Sequence, residues 1–228
     1  MIQGANSITV VLVHGAWADG SSWREVIRPL QELGFKVIAA PIPLTSLNDD
    51  VRALNRVLRR TMGPLVLAAH AYAGAVISAC DEPRVKSLVY IAALTPAEGE
   101  TVADVFYRDT RHPLSPKLAP DADGIIWMPD DGFAAAFAQN ASATQIQLLT
   151  ATQRPIAVPC IQERASRPAW LQKPAWCLIA EEDRMIPPAT QHFMADRMRA
   201  RARVEKVDHS PLVTAPAIVV ETILEASS

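Results

Sequence analysis

The sequence predicts an α/β domain in which a mostly parallel sheet is covered by helices on both faces. Three observations carry this expectation. Apolar, β-branched runs without polar alternation recur along the first half, as in strands buried on both faces. Between them, apolar residues fall at helical spacing. The two kinds of segment alternate, and buried strands joined by helices pair in parallel.

In chain order, residues 8–13 (ITVVLV) form the first expected strand. Trp23, Val26, Ile27, Leu30 and Leu33 then share a helical face, and Gly34 stands where a helix end favours a left-handed residue. Residues 36–40 read as the second strand, broken by the loop of Pro41 and Pro43. Val51, Leu54, Val57 and Leu58 mark a second helix, stopped by Gly63-Pro64. Residues 65–69 give a third strand, 73–80 a helix and 85–92 a fourth strand. From about residue 96 to 170 the rhythm dissolves into a stretch rich in Pro, Asp and Ala, with short amphipathic pieces such as Phe133-Ala134-Ala135-Ala136-Phe137. So long an irregular connection predicts an inserted cap or lid. The rhythm resumes with a strand at 175–180, a helix at 189–199, a short strand near 203–207 and a last helix at 217–226. One domain over residues 1–228, with the cap inserted at 96–170, is the expected organisation.

Half of the 228 residues are hydrophobic, a fifth are charged, and the formal net charge is −2. This is an ordinary globular balance. It lacks the basic surface that a nucleic-acid partner demands. Cys80, Cys160 and Cys177 are spaced too widely and irregularly for a disulfide framework or a zinc site, which predicts a reducing compartment. Met1–Ser7 lacks the basic region that opens a secretory signal, and residues 8–13 are too short to span a bilayer. The expectation is a cytoplasmic protein with no membrane or nucleic-acid partner. Neither a dinucleotide fingerprint nor ligand spacing points to a cofactor or a metal.

Three places at the ends of expected strands carry chemistry, and open parallel sheets put their sites at such ends. After the first strand comes His14-Gly15-Ala16. Gly15 permits a tight turn that leaves the Ala16 N–H free to face a developing oxyanion, although the same dipeptide also serves ordinary turns. After the third strand comes Ala69-His70-Ala71-Tyr72-Ala73-Gly74, in the register where G-x-S-x-G puts a nucleophile on a strained corner. The small flanking residues Ala69 and Ala73 suit such a corner, but Ala71 brings no reacting oxygen. Glu181, Glu182 and Asp183 then put acids just past one strand, and His209 follows the last.

On these residues the chain resembles the α/β-hydrolase superfamily, specifically its small-esterase branch with the plant methylesterases and hydroxynitrile lyases. The matching stretches are VLVHGAWADGSSW (11–23), HAYAGAVI (70–77) with Ala69 before it, YIAALTPAEGE (90–100) and IAEEDRMIPP (179–188), so the resemblance spans nearly the whole chain. Nucleophile, acid, histidine is also the family's chain order. The resemblance implies an α/β-hydrolase fold with Ala71 in the nucleophile's place, Asp183 in the acid's and His209 in the base's. It further implies that the Ala16 and Tyr72 N–H groups form the oxyanion hole. The departure is at Ala71: without a hydroxyl there the family's acyl-enzyme route does not run.

The other candidates carry plainer readings. His14 and His70 are expected to be structural, hydrogen-bonded under the corners. Trp17, Trp23, Trp127 and Trp170 suit either an apolar pocket or core packing, with Trp17 and Trp127 assigned to substrate contact and the pocket roof to cap residues that include Trp127 or apolar residues near it. Arg154 is expected to anchor the surface or cap rather than a substrate carboxylate. Ser78 and Cys80 lie too far along the helix to replace the nucleophile. Three explanations of Ala71 stay open: a laboratory serine-to-alanine exchange, a natural residue in an enzyme using Asp183 and His209 as a general base, and a binding module without chemistry. An epoxide hydrolase or haloalkane dehalogenase is excluded, because both need a carboxylate at position 71. The expected class is carboxylic-ester or lactone hydrolysis, with an apolar ester-like substrate or ligand.

Overall fold

The computed structural model describes residues 8–228; Met1–Ser7, read above for a missing basic region, lie outside the described residues. The chain runs β1 (Thr9–Val13), α1 (Arg24–Glu32), β2 (Lys36–Ala40), α2 (Leu47–Leu58), β3 (Leu65–His70), α3 (Ala73–Ser78) and β4 (Val85–Ile91). There follow α4 (Val102–Phe106), β5 (Ile125–Ile126), α5 (Asp130–Gly132), a wide π-type turn over Phe133–Phe137, α6 (Ala143–Thr152), β6 (Ile156–Ala157) and α7 (Val158–Gln162). Then come β7 (Ala175–Ala180), α8 (Pro188–Met198), β8 (Arg201–Glu205), α9 (Pro211–Thr214) and α10 (Pro216–Ala226).

Six strands form one sheet in the order β2-β1-β3-β4-β7-β8, and each pairing in it is parallel. β5 and β6 pair antiparallel in a separate two-stranded sheet. Strand alternation splits the core into two layers. Val10 and Leu12 of β1 join Val26, Leu30, Val219 and Ile223 of α1 and α10 on one face. Val11 and Val13 join Leu54, Val76 and Met194 of α2, α3 and α8 on the other, together with Phe133 and Phe137. Apolar residues on both sides are why these strands read as continuous hydrophobic runs.

The chain leaves β1 for β2 on one side and returns to β3 on the other, so the C-terminal ends of β1 and β3 flank a topological switch point. Loops diverge there and leave a crevice. Two expectations need correction. The last strand lies at Arg201–Glu205, because its register against β7 runs from Trp176↔Arg201 to Ala180↔Glu205. The 96–170 segment, read as irregular, holds helices, including α6 behind a capping box of Ser142 and Gln145. That helix buries Leu149 alone, so it carries no apolar stripe for periodicity to detect.

Candidate active site

Between β3 and α3 the chain turns at Ala71 with φ +50°, a left-handed conformation that costs a non-glycine residue about 1–2 kcal/mol. Its surroundings hold it there. The Ala71 N–H donates to the Ile91 carbonyl (3.2 Å), while its carbonyl accepts from Gly74 (3.1 Å) and Leu94 (3.0 Å). Close approach makes two neighbours glycine. A Cβ on Gly15 would lie 3.0 Å from the Ala71 methyl, and one on Gly74 would lie 2.5 Å from the Leu94 carbonyl oxygen. Ala69 and Ala73, which flank the corner, are fully buried as well.

Asp183 follows β7 and His209 follows β8, and the sheet brings them together. Asp183 Oδ2 lies 2.8 Å from His209 Nδ1, with both residues buried. The same carboxylate accepts from Gln191 Nε2 (2.8 Å), and its Oδ1 accepts from the Met185 (2.7 Å) and Ile186 (2.8 Å) N–H groups. Those donors fix the carboxylate as an acceptor, so Nδ1 of His209 donates to it and Nε2 is the ring nitrogen left over. Nε2 has no partner among the described residues. The neighbouring acids are engaged elsewhere. Glu181 pairs with His192, and Asp208 accepts from Ser210, Thr214 and Asn140.

A cavity opens over this corner, with Ala16, Ala71, Tyr72 and His209 among its walls. The Ala16 and Tyr72 N–H groups donate to no partner among the described residues. Phe106, Ile126, Phe137 and Ile156 close the cavity from the 96–170 segment, and no Asp, Glu, Lys or Arg lines it. Such a space suits a neutral apolar ligand with one polar group near the corner.

A family model described as "Alpha/beta hydrolase family" matches residues 10–222. The chain belongs to the alpha/beta hydrolase family. Among curated relatives, it is 21% identical over 241 residues to an alpha/beta hydrolase, nvfD, from Aspergillus novofumigatus, covering 96% of each chain. It is 28% identical over 107 residues to a carbendazim hydrolyzing esterase from Nocardioides sp., covering 40% of this chain and 44% of that one. The solved structure of a polyneuridine aldehyde esterase mutant superposes with a TM-score of 0.83 at 16% identity, over 97% of this chain and 100% of that one. The α/β-hydrolase family expected from the sequence is thus the one the family model matches.

In this member of the family the remaining sequence-derived residues find definite places. Trp17 lines the cavity and is held by its N–H to the Arg154 carbonyl (2.8 Å) and its indole Nε1 to the Ile126 carbonyl (2.9 Å). Trp127 does not line it and is 52% exposed, which corrects its assignment to substrate contact; the neighbouring Ile126 lines the cavity instead. Side chains alternate across an extended segment, so Ile126 faces inward and Trp127 outward. Trp23 and Trp170 are packed in the two core layers. His14 accepts from the Ile42 N–H (3.4 Å) and meets the Gly15 carbonyl (3.0 Å), and burial lowers its pKa. His70 donates to the His209 carbonyl (2.7 Å); burial and then the adjacent His209 hold its pKa well below the ordinary value. Both are thereby kept neutral. Ser78 bonds to the Tyr90 hydroxyl (3.0 Å), burial pushes the Cys80 thiol up to about 12, and neither residue lines the cavity. Sequence reasoning missed Gln191, which braces Asp183 from the first turn of α8, and no motif marks it. No cluster of metal-ligating side chains occurs among the described residues.

Proposed function

We propose that this chain is built for carboxylic esters or lactones, binding a small apolar ester-like molecule in the cavity, and that its own corner forms no acyl-enzyme. The observation carrying this reading is the Asp183–His209 pair at 2.8 Å, opening on the same cavity as Ala71 and the free Ala16 and Tyr72 N–H groups. His209 Nε2 is the general base, oriented by Asp183 through Nδ1. The two N–H groups receive the carbonyl oxygen as it gains negative charge. What the corner lacks is the hydroxyl that His209 would deprotonate. Residues 96–170 are the cap that keeps the bound molecule dry.

Ala71 itself favours a second reading, in which Asp183 and His209 deprotonate a substrate or a water directly in a lyase-like enzyme, or merely line a binding site. A cytoplasmic setting goes with either reading, supported by free, buried Cys80, Cys160 and Cys177. Among the described residues no helix is long and apolar enough to cross a membrane. A nucleic-acid partner is not proposed, given the net charge of −2.

The test is Ala71→Ser assayed on p-nitrophenyl acetate. The variant should turn over at least about 100-fold faster than the parent, because a triad acts as one unit and each member governs most of its effect. Adding His209→Ala should remove the gain. A folded Ala71→Ser protein with no gain would overturn the hydrolase reading in favour of the general-base enzyme or the binder.

A further inference from the structure

Beside the corner lies a further buried carboxylate that the chemistry above does not use. Asp50, in the first turn of α2, is fully buried, while its neighbour Asp49 is partly exposed. Its Oδ2 accepts from the Tyr72 hydroxyl at 2.7 Å and from the Cys160 thiol at 3.7 Å, and its Oδ1 accepts from the Leu44 N–H at 2.7 Å. These partners belong to three different parts of the site. Tyr72 follows the corner residue and carries one of the two free N–H groups. Cys160 sits in α7, next to Ile161 of the cavity wall. Leu44 is itself held left-handed at φ +61°, and its carbonyl accepts from Ala157 (3.0 Å), beside the wall residue Ile156.

We propose that Asp50 is a positioning residue that sets the Tyr72 N–H by clamping the far end of the Tyr72 ring, while the same carboxylate ties Leu44 and Cys160, which adjoin the wall residues Ile156 and Ile161, to the corner. The proposal rests on the hydrolase reading for what the N–H does, but not for where it is held. A ring pinned at its hydroxyl and rooted at Cα leaves the peptide between Ala71 and Tyr72 little freedom. Tyr72 keeps helical angles (φ −49°, ψ −38°) directly after the left-handed Ala71, and the clamp opposes relaxation of that pair.

An apolar side chain would fill this space without burying a charge, and buried carboxylates are stability liabilities more often than assets. Burial pushes the Asp50 carboxyl up to about 6, against the lowering effects of the Tyr72, Leu44 and Cys160 donors, and Asp49 pushes in the same upward direction. The facing groups stay protonated: burial holds Tyr72 well above its usual range and Cys160 up to about 12. A carboxyl whose pKa is raised by folding stabilises the fold fully below the unfolded value near 3.8 and loses that contribution as pH rises through about 6. An ionised Asp50 at pH 8 therefore works against stability, as expected of a residue retained for function.

The test uses Asp50→Asn and Tyr72→Phe. In the chain with Ala71 in place, the backbone amide resonance of Tyr72 is followed by ¹H–¹⁵N NMR from pH 8 to pH 5. It should inflect near pH 6, lose that inflection in Asp50→Asn, and shift in both variants, while the Ala16 amide stays unmoved. In the Ala71→Ser background each variant should lower kcat at least about 10-fold on p-nitrophenyl acetate with KM changed less than about 3-fold, since losing an oxyanion donor outright costs about 10²–10³. Asp50→Asn should keep or raise the melting temperature at pH 8. An unmoved Tyr72 amide, an unchanged kcat in an active background, or a kcat loss matched by a lower melting temperature overturns the proposal. An inactive Ala71→Ser protein would instead fault the hydrolase reading, and the amide measurement would still decide for or against Asp50.

Discussion

Asp183 gathers Met185, Ile186, Gln191 and His209 on its two carboxylate oxygens, and none of these donors has water to turn to in a buried site. Removing the acceptor orphans the Met185, Ile186 and His209 donors, while Gln191 Nε2 keeps the Ile186 carbonyl (3.0 Å). Each orphaned buried donor costs about 1–3 kcal/mol, and neighbours do not add fully, so Asp183→Ala should lower unfolding free energy by about 3 kcal/mol or more in urea titrations. Asp183→Asn separates stability from orientation. The amide keeps an acceptor for the backbone donors but does not serve both Gln191 and the Nδ1–H of His209. In the Ala71→Ser background it should lose about 10⁴ in kcat, the size of the equivalent effect in well-studied serine proteases, with a smaller loss of stability. Undiminished turnover in Asp183→Asn would mean that His209 is oriented by something else.

At the scale of elements, the corner between β3 and α3 depends on glycine for space rather than for dihedral freedom. Gly74 lies inside α3, where alanine normally stabilises a helix by about 1 kcal/mol. Here the added Cβ would meet the Leu94 carbonyl at 2.5 Å and the Ala93 methyl at 2.9 Å, and overpacking of this kind costs about 1–3 kcal/mol. Sterics should win, so Gly74→Ala should unfold at a lower urea concentration than the parent; an increase would show that the Leu94 loop yields freely. The sheet was legible because β1, β3 and β7 are short apolar runs buried on both faces, and the longer helices α1 and α2 because their buried residues recur at helical spacing. The 96–170 segment was not, because its helices bury few residues each and its two-residue strands carry no period. Trp127 shows the limit at one residue. Alternation says that Ile126 and Trp127 face opposite ways, but only the packed cavity says which way is inward.

At the scale of the molecule, the site exists only where four distant parts of the chain meet at the switch point: Ala16 after β1, Ala71 after β3, Asp183 after β7 and His209 after β8. The sequence carried these positions because each follows a strand, whereas Asp50 and Gln191 contribute through tertiary contacts that leave no local pattern. The cavity roof is bonded to both loops that bear the Asp183–His209 pair. Gln139 Nε2 donates to the Glu182 carbonyl (2.7 Å) and Arg184 Nη1 to the Ala135 carbonyl (2.9 Å). From the other loop, Ser210 Oγ donates to the Phe137 carbonyl (2.6 Å), and Asp208 accepts from the Asn140 N–H (2.9 Å). On the proposed reading, this assembly is poised for acyl transfer and lacks a single oxygen. The most direct measurement is intact-mass spectrometry of Ala71→Ser after exposure to a fluorophosphonate, which phosphonylates an activated serine with loss of fluoride. One adduct per chain, mapped to position 71 and abolished by His209→Ala, is the predicted result; a folded Ala71→Ser protein that takes up no adduct contradicts the claim.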